Sequence, residues 1–205
     1  MLRIWGRADA PNVQKVLWAC AELGLAYERI DKGGRFGAAD DQAYLALNPN
    51  GLVPTLEHDG FVLWESHAIL RYLANLAGSP LYPSPARDRA RVDQWLDWQG
   101  QHQGPAIRAL VQATVAAKAP PPAEAVSQAR GAAEALFRRL DAQLAASRHI
   151  AGDAFSLADI ALGVGAHRWL SLPVARPDLA RLDAWMSRLQ ARPAYRATVA
   201  AVART

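Results

Sequence analysis

The chain has 205 residues, 51% of them apolar and 20% charged. That length and composition fit one large or two small globular domains and exclude a low-complexity chain. No stretch reaches the about 18 uninterrupted apolar residues of a membrane span. The opening MLRIWGRADA lacks the apolar run of a secretory leader, so a cytoplasmic protein with no membrane partner is expected. Cys20 is the only cysteine, which rules out an intrachain disulfide and a thiolate metal cluster; no metal is expected. Net charge is +4: residues 1–80 carry 7 basic and 9 acidic side chains, residues 81–205 carry 16 and 10. The excess is arginine scattered through helical patterns. A nucleic-acid binder wants a clustered footprint or a reading motif, so no nucleic acid is expected, although the field favours small anions.

LRIW at 2–5 reads as a short strand. In VQKVLWACAEL, Val13, Val16, Leu17, Cys20 and Leu23 recur at helical spacing, and Gly24 stops the helix. AYERI at 26–30 is a second strand. GGRFGAADD is a Gly-rich loop, and DQAYLALNP a short irregular helix. LVPTLEHDGFVLWES reads as two strands around an Asp-Gly turn, followed by a helix over 66–76. GSPLYPSPARD then breaks the periodicity as a Pro-rich linker. Beyond it every pattern is helical: roughly 86–118, a separator APPPAE at 119–124, then 125–146, 156–170, 176–192 and 194–203. The expected organisation is an α/β unit at 1–77, a linker at 78–87 and an all-helical unit at 88–205.

Several residues have chemistry of their own. Pro54 cannot donate to a strand ladder and pushes Val53 into an extended conformation. Glu65-Ser66 opens a helix, where free N–H groups attract anions; the pair also reads as ordinary capping. Ser156 and Asp159 make the S-x-x-D spacing of a capping box, a structural role. Trp64 reads as core. Trp95, Trp98 and His102 share one helix face with Gln99, Arg108 and Gln112 nearby; His102 is the best titratable candidate there.

The order of elements, with NGLVPTL followed by LWESHAILRYL, GDAFSLADIAL and NVQKVLWACAELGLAYE, resembles the glutathione S-transferase family, in its bacterial theta- and beta-like members. The resemblance covers essentially the whole chain. It implies a thioredoxin-like N-terminal domain with a mixed four-stranded sheet and a C-terminal helical bundle. It also implies glutathione as co-substrate, a small apolar electrophile bound between the domains, a detoxifying role and a homodimer. By resemblance Pro54 is cis, and Val53 pairs its backbone with the cysteinyl unit of glutathione. Glu65 takes the γ-glutamyl ammonium and Ser66 its carboxylate. Asn50 and Lys32 approach the glycyl carboxylate, with Arg35 and Gln42 as rivals to Lys32.

One departure matters. The family activates the glutathione thiol with a Tyr, Ser or Cys in the first loop. In GRADAPNVQKV the serine or cysteine position is Ala10, and the tyrosine position falls at Trp5 or Gly6. A free thiol has a pKa near about 8.5 and must ionise to react. Asn12, whose carboxamide donates without ionising, and Arg7 are the candidate substitutes. Asn12 as a plain N-cap, Arg7 as a solvated charge, and backbone N–H groups acting alone are the alternatives. The expected function is glutathione conjugation. The alternatives are a weakly active glutathione-binding protein of the same fold, or a related glutathione-dependent peroxidase or dehalogenase.

Overall fold

The computed structural model describes residues 1–37, 41–117 and 121–202. Parts of three sequence expectations lie outside them: 38–40 of the Gly-rich loop, 118–120 around the APPPAE separator, and 203–205 at the end of the last helix. Two compact units emerge: 1–82 with the C-terminal segment from 190, and 83–189.

The first unit is built on strands β1 (Leu2–Trp5), β2 (Tyr27–Ile30), β3 (Thr55–His58) and β4 (Phe61–Trp64). Their order is β2-β1-β3-β4. β1 and β2 are parallel, and β3 is antiparallel to both β1 and β4, so the sheet is mixed as expected. Helices α1 (Pro11–Leu23), α2 (Gln42–Leu47) and α3 (Ser66–Leu76) complete it. Leu2 and Ile4 of β1, Leu56 of β3, Val13, Val16, Leu17 and Cys20 of α1, and Ile69 and Leu73 of α3 form its core. Gly24 ends α1 in a left-handed conformation at φ 65°, which a glycine adopts without steric penalty.

Residues 190–202 group with this unit, not with the helical unit to which the sequence assigned them. Their anchors are specific. The Tyr195 ring meets Trp18 edge-on at 5.1 Å, and Arg192 donates to both carboxylate oxygens of Glu22 at 2.6 and 2.7 Å. This packing buries α1 on a second side, so Gln14 and Lys15 are as buried as the apolar face. No periodicity in the helix announces that.

The second unit holds α4 (Ala86–Trp98), α5 (Gly104–Gln112), α6 (Ala123–Gln143), α7 (Leu157–Leu170) and α8 (Ala180–Gln190). The single helix expected over 86–118 is two, joined by a π-helical stretch over Gln99–Gln103. Pro105 explains the break, since it has no N–H to give and its ring crowds the carbonyl four residues back. α8 begins at Ala180, not 176: Pro177 keeps Arg176 out of helical geometry, and Asp141 accepts from the Arg181 and Leu182 N–H groups where the helix starts. Among the described residues no helix is long and apolar enough to cross a membrane.

Candidate active site at the end of the sheet

The strand register gathers the candidate residues. Trp5, Ile30, Thr55 and Trp64 stand side by side across the sheet. The chain leaves β1 into the first loop, leaves β2 into Asp31–Gly34, enters β3 from Val53-Pro54, and leaves β4 into Glu65-Ser66. Four segments that are far apart in sequence therefore meet at one end of the sheet.

The Val53–Pro54 peptide bond is cis. Val53 lies against Gly6 and Gly33, where an added Cβ would stand 3.1 and 3.5 Å from its side chain. Gly6, at φ 149°, must be glycine: its Cβ would reach 2.5 Å from Val13. The approach to Val53 is fixed from below. The Tyr44 hydroxyl and Asn48 carboxamide both donate to the Leu52 carbonyl, at 2.7 and 2.8 Å, and both engage the Thr55 hydroxyl. Tyr44 and Asn48 drew no attention in the sequence, and only the fold brings them under this loop.

α3 begins unusually. Glu65 occupies its N-cap position at φ 70°, ψ 116°, and no side chain caps the helix. A non-glycine residue there is strained by about 1–3 kcal/mol, a feature that concentrates at functional sites. The ordinary capping reading of Glu65-Ser66 is thereby excluded. Ser66 is buried at the first helical position, and Glu65 is exposed beside it.

α1 also begins without a side-chain cap. Its N-cap is Ala10, which is buried, with Pro11 next. Asn12 is inside the first turn and exposed, so it is not the N-cap. Its Oδ1 accepts from Lys15 Nζ at 3.0 Å, and the same ammonium lies 3.2 Å from His67 Nε2 on α3. Lys15 is 3% exposed. Burial pushes it down from its ordinary value of 10.5 to about 7, opposed by the nearby Glu65 carboxylate. Lys15 was missed in the sequence; the only available signal was its three-residue spacing from Asn12. Through it, the two open helix starts become one cluster of Asn12, Lys15, His67 and Glu65.

Arg7 is placed differently. Its guanidinium pairs with Asp9 at 2.8 Å, and the Asp9 side chain is buried and also faces Arg35 at 3.8 Å. The Arg7 guanidinium is therefore engaged by a carboxylate, which weakens it as a partner for a thiolate. Lys32 Nζ is paired with Asp41, the cap of α2, and lies 5.5 Å from the centre of the Tyr44 ring. The Asn50 backbone N–H and carboxamide both donate to Asn48 Oδ1 at 3.0 Å. None of these three contacts involves Asn12, Lys15, His67 or Glu65.

In the helical unit, the Trp98 ring lies 5.3 Å from Trp95 and 5.9 Å from His102, which is exposed, while Gln99 is buried. Trp64, expected in the core, is 39% exposed on edge strand β4. Ser156 and Asp159 do form the expected structural pair. The Ser156 N–H and hydroxyl donate to one Asp159 oxygen at 2.9 and 3.1 Å. The other accepts from the Ile150 N–H at 3.1 Å and Trp185 Nε1 at 2.8 Å.

A mixed four-stranded sheet with a cis-proline and an open helix start at one end, followed by a helical unit, defines a thioredoxin-like transferase architecture. The chain belongs to the glutathione S-transferase family: the model of the glutathione S-transferase N-terminal domain matches residues 1–75, and that of the C-terminal domain residues 123–197. Glutathione S-transferase GstB of Escherichia coli is 39% identical over 97% of this chain and 98% of its own length. Glutathione S-transferase 3 of Zea mays is 34% identical over 98% of this chain and 94% of its own. Among solved structures, a theta class glutathione S-transferase from Xanthomonas axonopodis pv. citri with glutathione bound superposes with a TM-score of 0.93. It is 41% identical, covering 100% of this chain and 99% of that one.

Proposed function

We propose that the protein is a glutathione transferase that conjugates the glutathione thiolate to small apolar electrophiles, as a cytoplasmic homodimer with a detoxifying role. The observation that carries this reading is the row at the sheet end, where cis-Pro54 and the uncapped start of α3 at Glu65-Ser66 stand together, in a chain matched over its length by transferases. Val53 offers its backbone to the cysteinyl unit in the manner of an added strand. Glu65 receives the γ-glutamyl ammonium. Ser66 and the free N–H groups of α3 receive the carboxylate. Asn50 and Lys32 border the glycyl end, Lys32 only on leaving Asp41.

Asn12 is the donor to the sulfur, helped by the first N–H groups of α1. The bond-forming step is attack of the thiolate on an electrophilic carbon, with departure of a leaving group such as chloride. Arg7, paired with Asp9, ranks behind Asn12. The exposed Phe61 and Trp64 on edge strand β4 support the homodimer, which sedimentation would test.

Ala10, where the family carries its hydroxyl or thiol, favours a second reading: a glutathione-binding protein with little turnover. Calorimetric titration with glutathione, paired with chlorodinitrobenzene conjugation, separates the two. Binding with turnover is expected for the transferase. Binding without turnover on a broad electrophile panel gives the second reading, and absence of binding defeats both.

A further inference from the structure

We propose that Lys15 is a positioning residue: its buried ammonium holds the Asn12 carboxamide by the carbonyl oxygen, so that the NH2 group is presented outward as the donor to the glutathione sulfur. The inference rests on the transferase reading and on Asn12 as donor, and adds what makes that donor dependable.

An asparagine amide has two faces of similar shape and opposite character, an acceptor oxygen and a donor NH2. A flip about its terminal torsion would present the oxygen to the sulfur and repel a thiolate. An exposed carboxamide at the start of a helix has little intrinsic reason to choose. Lys15 supplies one. A lysine ammonium has three donors and no acceptor, so at 3.0 Å from Asn12 the protonated side chain fixes the oxygen inward; above about pH 7, where Lys15 releases its proton, the amine gains an acceptor and the preference weakens. The NH2 then faces away from the core.

The ammonium is itself held in place. It lies one helical turn beyond Asn12 on α1, 3% exposed, and its Nζ reaches His67 Nε2 at 3.2 Å on α3. The Glu65 carboxylate also acts on Lys15 through its charge. Burying an ammonium is unfavourable unless its donors are used; a methionine at this position would pack as well. Because His67 directly follows Ser66, the same ammonium links the sulfur end of the site to its γ-glutamyl end.

The test is a double-mutant cycle on the full-length protein with Lys15→Met and Asn12→Ala, reading kcat/KM, glutathione KM, and the pKa of the bound thiol from thiolate absorbance. Lys15→Met is expected to raise the bound thiol pKa and lower kcat/KM by about 10- to 100-fold. Glutathione KM should change less than about threefold, because only orientation is lost. In the Asn12→Ala background, Lys15→Met should have no further effect beyond about twofold. Independent losses in the double variant would mean that Lys15 acts on the sulfur directly or through general packing, and would overturn the inference. An impaired Asn12→Ala with an unimpaired Lys15→Met overturns it while leaving Asn12 as donor. A fully active Asn12→Ala overturns both roles, and a wild-type complex that does not lower the thiol pKa overturns thiol activation as a whole.

Should Lys15→Met not fold, the wild-type protein labelled with 15N-asparagine gives a second reading. The Asn12 carboxamide signals, identified by their loss in Asn12→Ala, should shift as Lys15 titrates near pH 7 and again when glutathione is added. Signals that ignore either change would overturn the inference.

Discussion

The starts of α7 and α8 in the helical unit differ sharply from those of α1 and α3. Asp159 closes α7 while serving Ile150 and Trp185. Asp141, reaching across from α6, accepts from the Arg181 and Leu182 N–H groups at 2.9 Å and closes α8. Even the short α2 is capped by Asp41, and α4 and α6 carry Asp88 and Glu124 in their first turns. α1 and α3 have neither a side-chain cap nor an acid in the first turn. Free N–H groups and the positive end of a helix dipole remain there. Where the fold could have used an aspartate for stability, it leaves donors turned to the end of the sheet. A closed start stabilises the fold, and an open one is available to an anion.

Breaking the closed start should have the largest effect. Asp159→Ala leaves buried donors of Ile150, Ser156 and Trp185 without an acceptor and is expected to destabilise the protein by about 3–5 kcal/mol. Urea unfolding measures this; a loss below about 1 kcal/mol would mean that the buried carboxylate is dispensable. Next in size is the open start of α3. Glu65→Gln keeps the backbone and removes the charge, and should weaken glutathione binding by about 10- to 100-fold in calorimetry while stability stays nearly unchanged. Unaltered affinity would remove Glu65 from the site.

Converting the open start of α1 into a closed one is a smaller change in the opposite direction. Ala10→Ser supplies both a cap and the missing hydroxyl. It should add about 1 kcal/mol to stability and raise turnover, and failure on both counts would show that Ala10 is not the gap in the first loop.

pH reads the same start of α1 without a ligand. Below about 7 Lys15 is protonated in both the folded and unfolded chains. Between about 7 and 10.5 the unfolded chain holds a proton that the folded one has released, so stability should rise with pH through that interval. Cys20, pushed up from 9.0 to about 12 by burial, acts in the opposite sense above pH 9. The comparison therefore belongs between pH 6.5 and 8.5. The rise expected in urea midpoints of the wild type should flatten in Lys15→Met, and parallel curves would assign it to another group.

Much of this was legible in the sequence because it is local. Gly24 stops α1, the Asp-Gly pair turns β3 into β4, and Ser156 with Asp159 marks the start of α7, each through chemistry within a few residues. Pro54 and Glu65-Ser66 were legible as a spaced pattern. What escaped depends on contacts far apart in the chain. Lys15 is buried because α3 and the C-terminal segment both cover α1, and its partner His67 is 52 residues away. Asp9 reads as a loop charge until Arg7 and Arg35 turn toward it. The positive φ of Glu65 has no signature in a residue that is not glycine. Trp64 was misjudged because an aromatic strand residue is usually buried, and only the strand order reveals that β4 is an edge.

The measurement that most directly tests the open helix starts as a thiol-activating site is the pH titration of thiolate absorbance in the glutathione complex. The wild-type complex should ionise well below the free-thiol value of about 8.5, and Asn12→Ala should return it toward that value. A wild-type complex that still ionises near 8.5, about the free-thiol value, would contradict the account.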